Sequence, residues 1–305
     1  MELPGDLFQQ TTIIICTFDR LADLERCLAS LGPFHAAGVE VVVVNNGPHG
    51  AAVGEIAMRH GAKVITEAAR GVSRARNAGV RAATGAIMAF LDDDSVADPD
   101  WLPLLLAPFR NPQVIGVVGS ICAQTLADPV SRTFDGLHRA EFPESRITLE
   151  VSPRANPFPL RQALVGNANM AIRREAFERF GLFDVRFGRG TRIGSGEEPD
   201  ILLTLLLGGG KIVVEPAARI FHRHSIEWRA VWRWAFSSGC AHTAILTKYF
   251  WQEPSLRGAI IRYADSRLRP RSAPDAPATN IKVPRIPFLL GSLYGPLAFL
   301  LSRRK

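Results

Sequence analysis

The alternation of strand patterns with helix patterns constrains this 305-residue chain most strongly. Short runs of mostly apolar, β-branched residues are separated by segments whose leucines recur at helical spacing. These runs lie at residues 12–16, 39–44, 63–66, 86–91 and 114–118. Runs that are apolar on both faces indicate a parallel sheet covered by helices, so we expect an α/β fold. Hydrophobic residues make up 47% of the chain, which is enough for a substantial core.

Three adjacent aspartates, Asp92, Asp93 and Asp94, follow the fourth predicted strand. Adjacent carboxylates repel each other and are costly to bury without a counter-charge. A divalent cation that also binds a pyrophosphate is the simplest counter-charge, because hard cations prefer oxygen ligands. The alternative is a solvated acidic turn in which Asp94 or Ser95 caps the next helix.

Polar residues also follow the first two predicted strands, at Thr17, Asp19, Asn45 and Asn46. Ligands of open α/β sheets bind outside the carboxyl ends of the strands, so these residues and the aspartates predict one nucleotide site. The glycine-rich fingerprints of dinucleotide folds and P-loops are absent from the sequence, which excludes both classes. Arg76 lies in the first turns of a predicted helix over residues 73–83, where a guanidinium favours phosphate. We expect Asp19 to cap the helix that follows the first strand.

A second acidic cluster consists of Glu197, Glu198 and Asp200, on either side of a proline. Proline is favoured at the first helical position, so we expect a helix over residues 199–207 with Glu198 near its N-cap. The helix dipole keeps a carboxylate ionised there, and an ionised carboxylate can take a proton from a hydroxyl. Simple capping is the alternative, although capping needs fewer acids than the cluster supplies.

His222 and His224 follow the last predicted strand. Imidazole is a common metal ligand, and a structural role is the alternative for both residues. The intervening patterns predict several further elements: a loop-rich excursion at 120–162, a mobile loop at 185–196, short strands at 212–214 and 219–221, and a linker at 270–280.

The region 226–305 is aromatic and basic, which predicts a helical appendage to a domain formed by residues 1–225. The formal net charge is +7 and much of the excess lies late in the chain, which indicates an anionic partner. Residues 286–301 are apolar but too short to cross a bilayer. Because basic residues flank them, we expect residues 283–305 to contact a membrane surface and not nucleic acid. A helix docked on the domain or on a second subunit is the alternative.

Four scattered cysteines without a CxxC pair predict reduced core residues and neither a zinc site nor a disulfide framework. The amino terminus shows no basic-then-apolar signal pattern. We therefore expect a cytoplasmic protein, peripheral on the inner face of the cytoplasmic membrane where its basic tail meets lipid.

The order and spacing of these motifs resemble the inverting glycosyltransferases of family 2. The resemblance spans roughly residues 11–224 and is carried by residues 17–20, 43–47, 71–79, 83–85, 90–94, 166–177, 181–184 and 196–200. It implies a GT-A fold, a Rossmann-like mixed sheet flanked by helices, here with the carboxyl-terminal helical appendage.

The resemblance also implies roles for residues on the donor side. The donor pocket would comprise Thr17, Asp19, Asn45, Asn46 and Asp93. Asp92 would contact the ribose, Arg76 would lie near the phosphates, and Asn167 would border the acceptor pocket. Asn45 and Asn46 replace a common Asp-Asp pair, which leaves uracil, thymine and guanine open as the base.

For the chemistry, the resemblance implies that Asp94 holds Mg²⁺ or Mn²⁺, with His222 as a further ligand. Glu198 would be the general base, where the family usually has Asp. Its longer side chain leaves Glu197 and Asp200 as alternative bases.

The implied activity is metal-dependent, inverting transfer of a hexose from a nucleotide sugar to an acceptor hydroxyl. The acceptor would be a glycan or a lipid-linked molecule in cell-envelope glycan, polysaccharide or glycolipid synthesis. A non-catalytic nucleotide-sugar-binding scaffold is the alternative, and it predicts that one acidic cluster has lost an acid. A sugar-nucleotide pyrophosphorylase would need a glycine-rich loop near the amino terminus, which the sequence lacks.

Overall fold

The computed structural model describes residues 5–151, 158–164, 166–223, 227–268 and 284–302. Its strands form one mixed sheet, in the order β3-β2-β1-β4-β8-β6-β9-β5 with β7 paired to β9. In chain order the strands are β1 Thr11–Thr17, β2 Glu40–Asn45, β3 Lys63–Thr66, β4 Ile87–Asp92, β5 Ser95–Ala97, β6 Val114–Ala123, β7 Ile147–Leu149, β8 Met170–Arg173 and β9 Lys211–His222. The first four strands are parallel, and β8 runs antiparallel between β4 and β6. The α/β prediction with a mixed sheet is therefore confirmed.

Helices cover both faces of this sheet. In chain order they are α1 Gly5–Gln9, α2 Leu21–Ser30, α3 Gly32–Ala36, α4 Gly50–Arg59, α5 Val72–Ala82, α6 Trp101–Leu106, α7 Pro129–Glu141, α8 Leu160–Ala163, α9 Arg174–Phe180, α10 Glu197–Leu207, α11 Trp228–Gln252, α12 Arg257–Leu268 and α13 Arg285–Leu301. Alternate residues of β1 enter opposite core layers, with Ile14 in one and Ile13 and Ile15 in the other. This alternation explains why the run is apolar at every position.

Two expectations for the middle of the chain are wrong. Residues 120–162 are not only loop, because α7 lies within them. The Asp128 carboxylate accepts a hydrogen bond from the Ser131 backbone N–H at 2.8 Å, which caps this helix. The two short strands expected at 212–214 and 219–221 are one strand, β9, whose pairing with β6 shifts register at Gly119/Ser120. Pro216 lies at that irregularity, and a proline inside a strand is normally found at such a place.

Three expectations about helix starts also need correction. The residue that precedes α2 is Arg20, with no side-chain cap, so Asp19 does not cap it. α10 begins at Glu197 and not at Pro199, which places Glu198 inside the first turn. No helix follows Asp94, because β5 does, so the capping alternative for the three aspartates is excluded.

Helices α11 and α13 pack closely against each other through glycines. A Cβ at Gly239 would lie 2.1 Å from the Phe288 carbonyl oxygen, and one at Gly291 would lie 1.9 Å from that of Phe236. None of the helices in the described residues combines the length and apolar character needed to cross a bilayer. His224, the predicted linker at 270–280 and the basic residues 303–305 lie outside the described residues.

Candidate active site

A cleft of about 1500 Å³ opens where the carboxyl ends of β1, β2 and β4 meet the start of α10. Both acidic clusters line it. Of the residues that the sequence proposed for the site, all but Asn45 and Asp200 contribute to its walls. The structure thus brings together side chains that are more than 100 positions apart in the chain.

Asp92, Asp94 and His222 form a group whose ligand atoms all lie within 4.8 Å of one another. β4 carries Asp92 and ends just before Asp94, while His222 ends β9 and pairs in register with Ser95 of β5. His222 Nε2 lies 2.9 Å from Asp94 Oδ1. Two carboxylates and one imidazole are a donor set that suits a divalent first-row cation or magnesium. The residues present therefore fit the metal that the sequence implies.

Asp93 is not part of that group, and its carboxylate contacts Thr17 and Arg20. Thr17 Oγ1 donates a hydrogen bond of 2.7 Å to Asp93 Oδ2, and Arg20 Nη1 lies 3.3 Å from Asp93 Oδ1. Burial, together with the charge of Asp94, raises the pKa of Asp93 to about 7. Burial opposes ionisation of Asp94 as well, but His222 and Arg20 lower the pKa of Asp94 to about 2.

Arg20 is a site residue that sequence reasoning missed. Its guanidinium contacts both Asp93 and Asp94 and lines the cleft. Its position directly after Asp19 was the available signal, because a basic residue beside one strand end can reach the acids that follow the neighbouring strand. A cation at Asp92, Asp94 and His222 would share the Asp94 carboxylate with this guanidinium.

Arg76 joins the two acidic clusters. Its Nη1 lies 2.9 Å from Glu198 Oε1 and 3.2 Å from Glu197 Oε1, and its Nη2 lies 3.4 Å from Asp92 Oδ1. The side chain is almost fully buried on α5. The acids around it raise the pKa of the guanidinium further, against the effect of burial. Arg76 therefore fixes the distance between the metal-binding group and the start of α10.

Glu197 and Glu198 occupy the first turn of α10, after Gly196. Gly196 has φ 93°, and a Cβ there would lie 2.6 Å from the Ala241 Cβ, so glycine alone fits. Burial, and then the charge of Glu198, raise the pKa of Glu197 to about 8. A carboxyl group that keeps its proton near neutral pH cannot accept another, which argues against Glu197 as the base.

Asp200 does not face the cleft. It is buried one turn further along α10, where Lys248 Nζ donates hydrogen bonds of 2.8 and 2.6 Å to its two carboxylate oxygens. Lys248 also lies 3.2 Å from Asp184 Oδ2. This geometry does not support Asp200 as a candidate base, because both of its carboxylate oxygens bind Lys248 and the residue does not line the cleft.

The two asparagines after β2 differ in position. Asn46 lines the cleft, and its amide nitrogen donates to the Glu67 and Ala69 carbonyls at 2.7 and 3.0 Å. Its oxygen accepts from the Gly71 N–H at 2.9 Å, so the side chain holds the loop that leads into α5. Asn45 lies below the cleft and forms a turn with Gly47, which does not support direct contact with the donor.

Asn167 lines the cleft, and its role beside the acceptor stays a prediction. Its Nδ2 donates to the Gly119 carbonyl at 3.1 Å, and its Oδ1 accepts from the Asn169 N–H at 2.7 Å. Further along the wall, α11 and α13 contribute Arg233, Arg285 and Leu289, which the sequence did not assign to the site. Sequence motifs could not identify these three residues, because they lie far along the chain from both acidic clusters.

Comparisons with known proteins agree with this geometry. The family model described as "Glycosyl transferase family 2" matches residues 12–181, more than half of the chain. The pre-mycofactocin glycosyltransferase of Mycobacterium tuberculosis is 28% identical over 246 residues, covering 78% of this chain and 48% of that protein. The chain spans about half the length of the first curated relatives that it matches.

Two solved structures share the fold. The mannosyltransferase PcManGT from Pyrobaculum calidifontis, in complex with GDP-Man and Mn²⁺, has a TM-score of 0.59 at 19% identity and covers 85% of this chain and 70% of that one. Glucosyl-3-phosphoglycerate synthase from M. tuberculosis, with Mn²⁺, UDP and glucosyl-3-phosphoglycerate, has a TM-score of 0.54 at 18% identity and covers 81% of each chain. At these identities the likeness establishes the fold alone.

Proposed function

The chain belongs to glycosyl transferase family 2 and has the GT-A fold, and from that premise we propose that it transfers a sugar from a nucleotide sugar to an acceptor hydroxyl with inversion. The observation that carries the proposal is one cleft lined by two acidic clusters that Arg76 joins. One cluster suits a metal and a pyrophosphate, and the other presents a carboxylate toward the acceptor side. A scaffold that only bound nucleotide would need only the first cluster.

In this proposal, Asp92, Asp94 and His222 hold Mg²⁺ or Mn²⁺, which when bound supplies positive charge for the departing nucleoside diphosphate. Asp92, the most exposed of the three aspartates, also contacts the ribose in this proposal. Glu198 accepts the proton of the acceptor hydroxyl as the hydroxyl oxygen attacks the anomeric carbon. Arg76 orients Glu198 and keeps the base at a fixed distance from the leaving group.

The acceptor in this proposal is a hydroxyl of a glycan or of a lipid-linked molecule in cell-envelope synthesis. One relative is named succinoglycan biosynthesis protein ExoM of Rhizobium meliloti, and another is a glucosyl-dolichyl phosphate glucuronosyltransferase of Haloferax volcanii. Those names concern the relatives, but both acceptor classes suit a wide cleft with apolar and basic residues on its acceptor side.

Thermal denaturation with UDP-, dTDP- and GDP-sugars, each with and without Mn²⁺, tests the proposal. A donor at a hundredfold excess over its Kd should stabilise the protein by about 2.7 kcal/mol, and the effect should require Mn²⁺.

Asp94→Ala should abolish this Mn²⁺-dependent stabilisation and all donor turnover. Asp100→Ala, which changes an exposed aspartate outside the cleft, is the matched control and should behave as the wild type. Stabilisation by no nucleotide sugar, or an unchanged response in Asp94→Ala, would contradict the proposal.

A further inference from the structure

We propose that the outer face of the α11–α13 helix pair binds an anionic lipid surface and brings the acceptor side of the cleft to that surface. The inference deepens the proposed function, because it names the surface at which an acceptor meets the enzyme. The inference rests on the proposed function because it treats the cleft as an active site.

The outer side of α13 is an uninterrupted apolar stripe. Its exposed side chains are Ile286, Leu289, Leu290, Leu293, Leu297, Leu300 and Leu301. The spacing places them on one helical face, while the opposite face packs on α11 through Gly291 and Gly295. Isolated exposed leucines are normal on soluble proteins, but a continuous stripe of this length marks an interaction surface.

Aromatic residues of α11 extend this surface. Trp228, Trp232 and Phe236 recur every four residues along α11 and are all exposed. Phe236 stacks on Tyr294 of α13 with ring centroids 6.2 Å apart, which joins the two exposed faces. Tryptophan is favoured where an apolar phase meets water, because its ring is apolar and its N–H can stay hydrated.

The charged residues on the two helices themselves are basic. Neither α11 nor α13 contains an aspartate or a glutamate. Arg229, Arg233 and Arg285 are exposed on the two helices. A basic rim around an apolar stripe is complementary to anionic headgroups above acyl chains. A second copy of the chain would instead bring two rims of like charge together, because a two-fold interface pairs a surface with itself.

The surface is continuous with the cleft. Arg233, Arg285, Phe288 and Leu289 line the same cleft as Glu198. Leu289 belongs to both the cleft wall and the exposed stripe of α13. A lipid surface bound to the stripe would therefore lie at the edge of the acceptor side, where an anchored acceptor can enter without leaving the bilayer.

Co-sedimentation of the full chain with vesicles tests the inference. Phosphatidylcholine vesicles with and without phosphatidylglycerol are compared, and binding is expected to the anionic vesicles and to weaken with salt. The double variant Leu293→Ser/Leu297→Ser should lower the partition coefficient about tenfold or more, because two leucines no longer leave water. Met58→Ser is the matched control, since Met58 and Leu293 are both 79% exposed and Met58 lies on α4. The control should bind as the wild type.

Two further readouts separate the outcomes. Mn²⁺-dependent binding of the nucleotide sugar should be unchanged in the double variant, so loss of vesicle binding with intact donor binding supports the inference. Absence of wild-type binding to anionic vesicles, or equal loss in Met58→Ser, overturns it while leaving the proposed reaction intact. Light scattering that shows a dimer in the wild type and a monomer in the double variant also overturns it, in favour of a second copy.

Discussion

Glu197 and Glu198 are adjacent in the chain, yet the structure gives them different surroundings. Arg76 contacts both carboxylates, but Glu197 is the more buried and carries the raised pKa. Glu197 therefore resembles a neutral hydrogen-bonding partner of the site, and the less buried Glu198 stays the proposed base. The assignment of one role to each residue depends on burial, which sequence spacing does not reveal.

The raised pKa of Glu197 predicts a pH dependence of stability. The folded protein keeps a proton on Glu197 up to a pKa of about 8, whereas the unfolded chain releases it near 4.5. Because the unfolded state then binds fewer protons, the free energy of unfolding falls as pH rises between these two values.

Glu197→Gln, which is neutral in both states, should flatten this pH dependence of the free energy of unfolding, as measured by urea unfolding. Glu175→Gln changes an exposed carboxylate on α9, and its free energy of unfolding should depend on pH as that of the wild type does. An equal slope in Glu197→Gln and wild type would contradict the buried, protonated state.

Much of the site at this scale was predictable, because Asp92, Asp94, Glu198 and His222 each follow a recognisable strand end or helix start. The exceptions have physical reasons. Asp200 looks equivalent to its neighbours in sequence, but its partner Lys248 lies 48 positions away and cannot be inferred from the motif. Asn45 resembles Asn46, yet the alternation of side chains at a strand end places only one of them in the cleft.

At the level of the elements, the first turns of α10 are held by contacts with two buried basic side chains. Arg76 of α5 contacts its first two residues, and Lys248 of α11 contacts Asp200. Asp184 and Arg186 complete the buried network, and the Arg186 guanidinium lies 4.0 Å from the centroid of the Phe299 ring on α13. The helix that carries the proposed base is thus held by elements from both ends of the chain.

Breaking one ion pair in this network should be costly. Lys248→Met leaves Asp200 buried without its partner, which should destabilise the protein by about 3–5 kcal/mol in urea unfolding. Adding Asp200→Asn should recover much of that loss, because the uncompensated charge is removed. Lys211→Met, in a partly exposed ion pair on β9, is the control and should change stability by at most about 0.5 kcal/mol. A double variant no more stable than Lys248→Met alone would contradict a charge-paired network.

The elements that sequence predicted best are the buried strands, since each presents apolar residues to both core layers. α7 was not predicted because its sequence has few apolar residues, and two of them, Val130 and Phe134, belong to a small buried cluster with Val231. The Asp-Pro pair at its start was the missed signal. The sequence predicts two strands in place of β9 because a proline interrupts the apolar pattern without ending the pairing of β9 with β6.

At the scale of the whole molecule, the carboxyl-terminal helices share a core with the sheet. Residues of α10, α11 and α13, among them Leu202, Ala244 and Phe299, belong to one buried cluster. The division into residues 1–225 and 226–305 stays a prediction, but this shared core makes the helices a wall of the cleft. Motif reasoning could not show this, because helix packing joins segments with no common motif.

The central claim is that Glu198 activates the acceptor across a cleft from a separate donor site. Glu198→Gln tests it most directly, by measuring donor affinity and sugar transfer on the same preparation with Mn²⁺ and the nucleotide sugar that binds. We expect donor affinity close to that of the wild type and transfer lowered by at least about 100-fold, since a positioned base contributes a factor of about 10² to 10⁴. Transfer near the wild-type rate in Glu198→Gln would exclude Glu198 as the base and move that role to Glu197.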